Sequence, residues 1–511
     1  SVVLLCSGFA LYSFFRLSAA EGQKDFDLYE LVPSTTSAVF VTDDVLEFVA
    51  EVDDLTCSKN QQYIYVSKLF SYLKQSLYAL SEDTPHGLSR QMNQMLISFH
   101  EPDNERNQVL YCRLGNGDKE LVNRFVRKYI SSLYPPKTFV YKGEEIIIYP
   151  MADGDFLACY LTSDFMALSF QKKLIENVID AYKSGKSLAD DPTFTGVRAP
   201  KKSAATATIY ARMKGMMGWT EFDMKMKDDF IYFSGITHDA DTCFAFINQL
   251  RQQQSVKGFP GEVLPSTAFY FSRQGITDWV SLLSYGNAQG QSVPARTSEV
   301  QNRDKEFSRY LMENAGQDLV ACLFQREDTL QGAAAVLSLS VADVTEAERM
   351  LRALVNAASA DEGRRNPRIT FCYTVNKAYL IYRLPQTTLF EQLTSFAEPT
   401  LDVYAAFYGG RLLLAPDADA LAHYIRQLDK GEVLNGAMAY QTGMDHLSDS
   451  YHFMLMADFD HIFQQSENHV RFVPDFFLRN ADFFRHFTLF VQFACADGVV
   501  YPNIVLKYKS E

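Results

Sequence analysis

No pair of cysteines in this chain is spaced as CxxC, and the eight that occur are scattered from Cys6 to Cys495. That spacing excludes a zinc ribbon and a thioredoxin-type redox motif, and a disulfide scaffold would be far denser in cysteine. The expectation is small, buried core thiols, as for Cys112 within Leu110–Leu114 and Cys372 within Thr370–Thr374. There are nine histidines and no HExxH, so the chain is neither a histidine-rich metal binder nor a zincin. No nucleophile elbow occurs. Gly185-Lys186-Ser187 has the end of a phosphate loop, but Asp180 stands where the earlier glycine belongs. Gly115-Asn116-Gly117 follows a strand-like run without the third glycine of a dinucleotide fingerprint.

Basic charge is also short, with 48 Lys and Arg against 62 Asp and Glu, a net of -14. That balance repels phosphate backbones and disfavours nucleic acid and anionic membrane surfaces as partners. The local basic spots, Lys201-Lys202 and Arg364-Arg365-x-x-Arg368, read as solvated turns. After Glu21 there is no apolar run of membrane-spanning length.

What is present is the composition of a folded protein: 47% hydrophobic, 14% aromatic and 22% charged. A chain of 511 residues exceeds one ordinary core, so two domains are expected. Val2–Leu17 is apolar apart from Arg16. It is short of the roughly 20 residues of a full span, and Ser18-Ala19-Ala20 offers a cleavage site. A retained anchor and a cleaved signal peptide both fit. The expectation is the anchor, giving a single-pass inner-membrane protein held through residues 2–17, with its body in the periplasm.

The chain echoes itself at long range. Leu31-Val-Pro-Ser-Thr, a strand at Ala38 and a helix start at Val45 return as Val263-Leu-Pro-Ser-Thr, a strand at Ala268 and a helix start near Ile276. Later elements follow in matching order. Strands are expected at Met95–His100, Val109–Leu114, Thr138–Tyr141, Glu145–Tyr149, Phe156–Leu161 and Met166–Phe170. Their counterparts are Leu319–Phe324, Ala333–Leu339, Ile369–Thr374, Ala378–Tyr382, Leu401–Phe407 and Arg411–Leu414. Helices Lys172–Ser184 and Ala418–Leu428 each run into a glycine. Three closing strands are expected in each copy. The fold class that follows is α+β: two tandem copies of one unit, each a largely antiparallel sheet with packed helices, after an N-terminal membrane helix. The domains are 1–20 as anchor or signal, 27–253 as repeat 1 and 262–511 as repeat 2, joined through Gln254–Gly261.

The copies differ at one join. Arg212–Thr220 links two strands in the first, while Asp458–Phe487 links their equivalents in the second and adds aromatic residues. Met216, Met217, Trp219, Phe472, Phe476, Phe477, Phe483 and Phe484 form a candidate apolar surface for a ligand or partner, against the plain alternative that they fill the core. The best metal-like spacing is Asp445-His446-x-x-Asp449-x-x-His452, but a strand beginning at His452 would break a shared helix face. No catalytic residue, metal ligand or cofactor is therefore expected.

The Pro-Ser-Thr opening with the strand that follows it, over Leu31–Val49 and again over Val263–Val280, resembles a group of uncharacterised exported proteins common in the Bacteroides-like phylum, a domain-of-unknown-function family. The resemblance implies an envelope location and an α+β repeat, and carries no catalytic residues. The expected function is a non-catalytic cell-envelope protein that binds a protein partner. The alternatives are a carrier of an apolar, lipid-like ligand and an enzyme with an unrecognised site.

Overall fold

The computed structural model describes residues 26–60, 94–100, 106–115, 118–125, 134–151, 154–198, 205–212, 218–237, 245–283, 297–326, 332–361, 369–375, 377–394, 400–465, 473 and 475–509. The chain falls into two compact units, Ser1–Leu46 with Val66–Thr195, and Glu47–Tyr65 with Gly196–Glu511. Among the described residues, seven strands of the first unit and thirteen of the second lie in antiparallel sheet, and two more of the second form a separate ribbon.

The first unit holds β1 (Ala38–Thr42), β2 (Met95–Phe99), β3 (Gln108–Arg113), β4 (Lys137–Tyr141), β5 (Glu144–Pro150), β6 (Phe156–Leu161) and β7 (Phe165–Ser169). Their order across the sheet is β4–β5–β6–β7–β3–β2–β1, antiparallel throughout. The β4–β5 hairpin closes on Lys142 and Gly143, both with positive φ (50° and 84°), the pair of left-handed residues a tight twisted hairpin requires. Helix α1 (Lys172–Ser184) lays Leu174, Ile175, Val178 and Ile179 on β5, β6 and β7 and stops at Gly185, whose φ is 63°. The segment beyond that glycine then holds the opening turn, since Ser34 N–H donates to Lys186 O (3.2 Å) and Leu188 N–H to Val32 O (2.8 Å).

The second unit holds β8 (Ala207–Ala211), β9 (Thr220–Lys227), β10 (Phe230–Thr237), β11 (Val256–Lys257), β12 (Ala268–Gly275), β13 (Ala315–Gln325), β14 (Ala333–Val341) and β15 (Ile369–Tyr373). It continues with β16 (Ala378–Arg383), β17 (Tyr404–Tyr408), β18 (Arg411–Ala415), β19 (Ser450–Tyr451), β20 (Phe453–Asp458), β21 (Phe487–Ala496) and β22 (Val499–Tyr508). β11 and β19 pair with each other. The rest run β8–β9–β10–β22–β21–β20–β12–β13–β14–β18–β17–β16–β15. The stretch from β15 to β12 follows the same path as β4 to β1. Helix α2 (Ser298–Asn314) and helix α3 (Val344–Asp361) pack against each other. Helix α4 (Ala418–Asp429) lies over β14 to β18, with Leu421, Tyr424 and Ile425 in a core shared with Phe271, Phe324, Met454 and Phe490. Asp417 caps α4 by accepting from Ala420 N–H at 2.7 Å.

Two expectations are corrected. The fold is not two copies that each close their own sheet. β10, inside the expected first copy, pairs residue for residue with β22 at the end of the expected second, from Phe230 opposite Lys507 to Ser234 opposite Asn503. The physical reason is strand supply. β22 has β21 on one side only, and β10 satisfies the backbone groups on the other. The single-pass, periplasm-facing location is corrected as well, because among the described residues no helix is long and apolar enough to cross a membrane. The apolar run 2–17 on which that expectation rested lies outside the described residues.

Candidate functional site

β15 is the last strand of its sheet, with β16 as its one partner among the described residues. Strand alternation sends Cys372 to one face and Ile369, Phe371 and Tyr373 to the other. Cys372 goes inward, its thiol 3.6 Å from Ala422 O on α4. On the opposite face Phe371 is 55% and Tyr373 71% exposed, and Val375, just past the strand, is 91% exposed. The two rings stack with centroids 6.1 Å apart. Helix α3 covers the far end of this face, where Tyr382 sits opposite Ile369. The Tyr382 hydroxyl donates to Glu348 Oε1 at 2.6 Å and accepts from Arg352 Nε at 2.8 Å. Burial and the Glu348 carboxylate push that phenol up to about 12. The cover stops there. Among the described residues Ala378, itself exposed, stands opposite Tyr373, too short to shield the ring.

The backbone of β15 is open in the same place. Thr374 N–H donates to Lys377 O at 2.9 Å, which makes Thr374–Lys377 a hydrogen-bonded pair. Alternation along an antiparallel ladder then turns the N–H and C=O of Ile369, Phe371 and Tyr373 away from β16. Exposed edges are ordinarily blunted by charge, proline or a bulge. β4, the outer strand of the first unit, shows such protection: Lys172 Nζ lies 5.2 Å above the Phe139 ring, and Lys142 pairs with Asp180 at 2.6 Å. From Ile369 to Val375 there is no charge, no proline and no break in register.

Elsewhere, chemistry-bearing residues are tied into structure. Ser98 Oγ lies 2.9 Å from His100 Nε2 and 3.1 Å from the Tyr111 hydroxyl, and burial pulls the imidazole down to about 4. This has the look of a nucleophile and base, but Ser98 is fully buried. Arg273 and Arg411 flank Asp318 at 3.0 and 3.2 Å. Burial favours the neutral acid at Asp318, but Arg411, Ser340 and Arg273 outweigh it and hold the carboxyl below its usual range. Arg411 also donates to Ser338, and Arg273 to Gly258 O and the Tyr451 hydroxyl, so the network clamps strands together.

The metal-like spacing is dispersed. His446 packs on the Phe230 ring at 4.2 Å, Asp449 accepts from Gly258 N–H at 3.1 Å, and His452 Nδ1 accepts from Cys495 N–H at 3.1 Å. Among the described residues no group of three potential ligands converges. Cys57, Cys112, Cys159, Cys322 and Cys372 are buried, and burial raises every one of these thiols, to about 12 for Cys112 and Cys159. Cys6 and Cys243 lie outside the described residues.

Of the aromatic candidates, Met216, Met217 and Phe472 lie outside the described residues, as does the side chain of Phe476. Trp219 is buried beneath Arg212, whose guanidinium sits 5.1 Å from the indole. Phe477 and Phe484 pack at 4.8 Å, Phe483 and Phe484 at 5.1 Å, and Phe459 meets Phe477 at 5.0 Å. Trp219 and Phe484 are not brought together. Trp219 adjoins Thr220, which pairs with Thr237 and through it Val500, whereas Phe484 packs beside Phe487, which pairs with Tyr508. From Val500 to Tyr508 is about 27 Å at roughly 3.4 Å per residue. The exposed edge at β15 was missed because Thr370–Thr374 reads as a uniformly apolar run. Its period-two pattern of Ile369, Phe371, Tyr373 and Val375 was the available signal.

Residues 88–225 match a family model described as "Protein of unknown function (DUF3352)". The match supports an uncharacterised domain of unknown function. It covers neither Leu31–Val49 nor Val263–Val280, the stretches that carried the resemblance, and it brings no exported, anchored or Bacteroides-type character with it. Comparison with curated proteins and with solved structures finds no match.

Proposed function

We propose that this chain is a non-catalytic binding protein that docks a protein partner at the exposed edge formed by Phe371, Tyr373 and Val375. The observation behind the reading is that edge itself. Two stacked aromatic rings and a valine stand in solvent beside backbone groups turned away from β16, on a strand without the charges that guard β4. Aromatic side chains are the usual anchors of a protein interface. Trp219 and Phe484 sit at opposite ends of the strands, so these two do not line one cavity for an apolar ligand.

A photo-crosslinking residue placed at Val375 in the full chain tests this in the native cell. The expected result is one reproducible protein adduct that disappears when Phe371→Lys and Tyr373→Lys are introduced with unfolding midpoints unchanged. Adducts unaffected by those substitutions, or none, would sink the proposal.

A further inference from the structure

We infer that Lys507 is a site of covalent acylation, a partly buried amine walled by Phe230, Tyr232 and His446 that takes an acyl group from a small activated donor, an acyl phosphate or a thioester. The site stands apart from the edge at β15 and does not depend on the docking reading.

Two strands and a turn build it. Lys507 on β22 stands directly opposite Phe230 on β10, and Tyr232, two residues on, shares that face. The Phe230 and Tyr232 rings stack with centroids 5.7 Å apart. His446, just past the helix Met438–Met444, lies 4.2 Å from Phe230 and 5.4 Å from Tyr232, centroid to centroid. The Tyr232 hydroxyl and His446 Nδ1 meet at 3.3 Å, which holds the imidazole against the two rings. Lys507 Nζ sits 5.9 Å from the Phe230 centroid and donates to Ala439 O at 3.1 Å. Thr488 flanks it from β21.

Other amines keep different company. Lys142, Lys172, Lys183 and Lys509 each reach a carboxylate, at 2.6, 2.7, 2.9 and 2.7 Å, which holds their proton on. Lys507 meets a neutral carbonyl and aromatic carbon instead. Its distance from the ring is near the outer limit of a cation–π contact, about 6 Å, so the ring excludes water more than it holds charge. Burial lowers this amine from its ordinary range and outweighs Asp229, which favours the ammonium. A larger share of Lys507 is therefore free base near neutral pH, and the free base is the nucleophile.

In the reaction the Nζ lone pair attacks the acyl carbon. A C–N bond forms, and the bond from that carbon to the phosphate oxygen or the thioester sulfur breaks. Phosphate or thiolate leaves with the electron pair, and the surplus amine proton goes to water. The product amide is uncharged and keeps one N–H for Ala439 O. Acylation thus cancels a charge at the end of β22 without orphaning that carbonyl.

The test treats the full-length chain briefly with acetyl phosphate, and separately with an acetyl thioester, across a pH series. Mass spectrometry then reads the initial rate at each lysine. Near neutral pH, Lys507 should acylate about three-fold or more faster than the exposed Lys225 and Lys377 with at least one donor, and its rate should reach half its plateau at a lower pH than theirs. His446→Ala, with the unfolding midpoint unchanged, should raise that half-plateau pH toward the value for Lys225. A half-plateau pH that coincides with that of Lys225, or a Lys507 rate no faster than Lys225 with either donor, overturns the proposal. A half-plateau pH that His446→Ala leaves unmoved overturns the aromatic wall as its cause.

Discussion

At Gly443 a missing methyl group sets how closely the helix Met438–Met444 lies on the sheet. A β-carbon there would stand 2.2 Å from the ring of Phe490, which is fully buried between Met456 and Val505 on neighbouring strands. Gly443→Ala is therefore expected to destabilise the protein by about 1–3 kcal/mol, read as a lower denaturant midpoint. Asp318 is a second single-residue control point. With its carboxylate gone, Arg273 and Arg411 stay behind as poorly compensated buried charges, so Asp318→Ala should cost about 3–5 kcal/mol. The pH dependence has a definite sign. A carboxyl held below its usual range contributes stability above about pH 4, and that contribution is lost as pH falls through the folded value. In a urea titration, Asp318→Asn should flatten this acid limb; an unchanged limb would mean that Asp318 does not set it.

Helix α5 (Phe459–Phe463) starts the element that distinguishes the longer join, followed by helix α6 (Asp475–Arg479) and helix α7 (Ala481–Phe484). Its first turn is held by Asp458, whose carboxylate accepts from Asp460 N–H at 3.0 Å and from Lys509 Nζ at 2.7 Å. His461 Nδ1 lies 3.5 Å from the same carboxylate, with Arg485 facing Asp460 at 3.9 Å. The hydrogen bond to Asp458 leads the causes that raise the His461 imidazole, against burial and Lys509. A raised histidine stabilises fully below about pH 6.5, and the contribution fades as pH rises through the folded value. Protection factors for hydrogen exchange over Phe459–Phe463, taken against the unstructured rate at each pH, should therefore be higher near pH 6 than near pH 8, and His461→Gln should remove the difference. The aromatic packing holds the element from the other side. Phe484 is 5% exposed against Phe459, Phe477, Phe483 and Phe487, so Phe484→Ala is expected to cost about 3–5 kcal/mol.

For the whole molecule the pairing of β10 with β22 has a direct consequence. A fragment starting at Glu262, beyond the proline- and glycine-containing stretch Gln254–Gly261, would strip β8, β9 and β10 from the second unit. β22 would become an unprotected edge carrying Val500, Ile504 and Leu506. Residues 262–511 expressed alone should aggregate; a monomeric, cooperatively melting fragment would show that β10 is dispensable.

Local structure is legible in the sequence. Strand expectations at Met95–His100, Phe156–Leu161 and Ala378–Tyr382 became β2, β6 and β16 within a residue, and the helices before Gly185 and Gly431 ended there with positive φ. Side-chain period and turn chemistry are properties of a few neighbouring residues, so the sequence alone determines them. It determined in the same way that Cys112 and Cys372 would be buried. The grouping of strands into sheets was decided by tertiary structure, because β10 and β22 satisfy each other's backbone across more than half the chain, and no local pattern records that. Exposure of the candidate site was decided there too. Cys372 and Phe371 are adjacent apolar residues in one strand, yet α4 covers the first while α3 stops short of the second. Where a helix ends relative to a sheet edge depends on packing, and that packing left Phe371 and Tyr373 exposed.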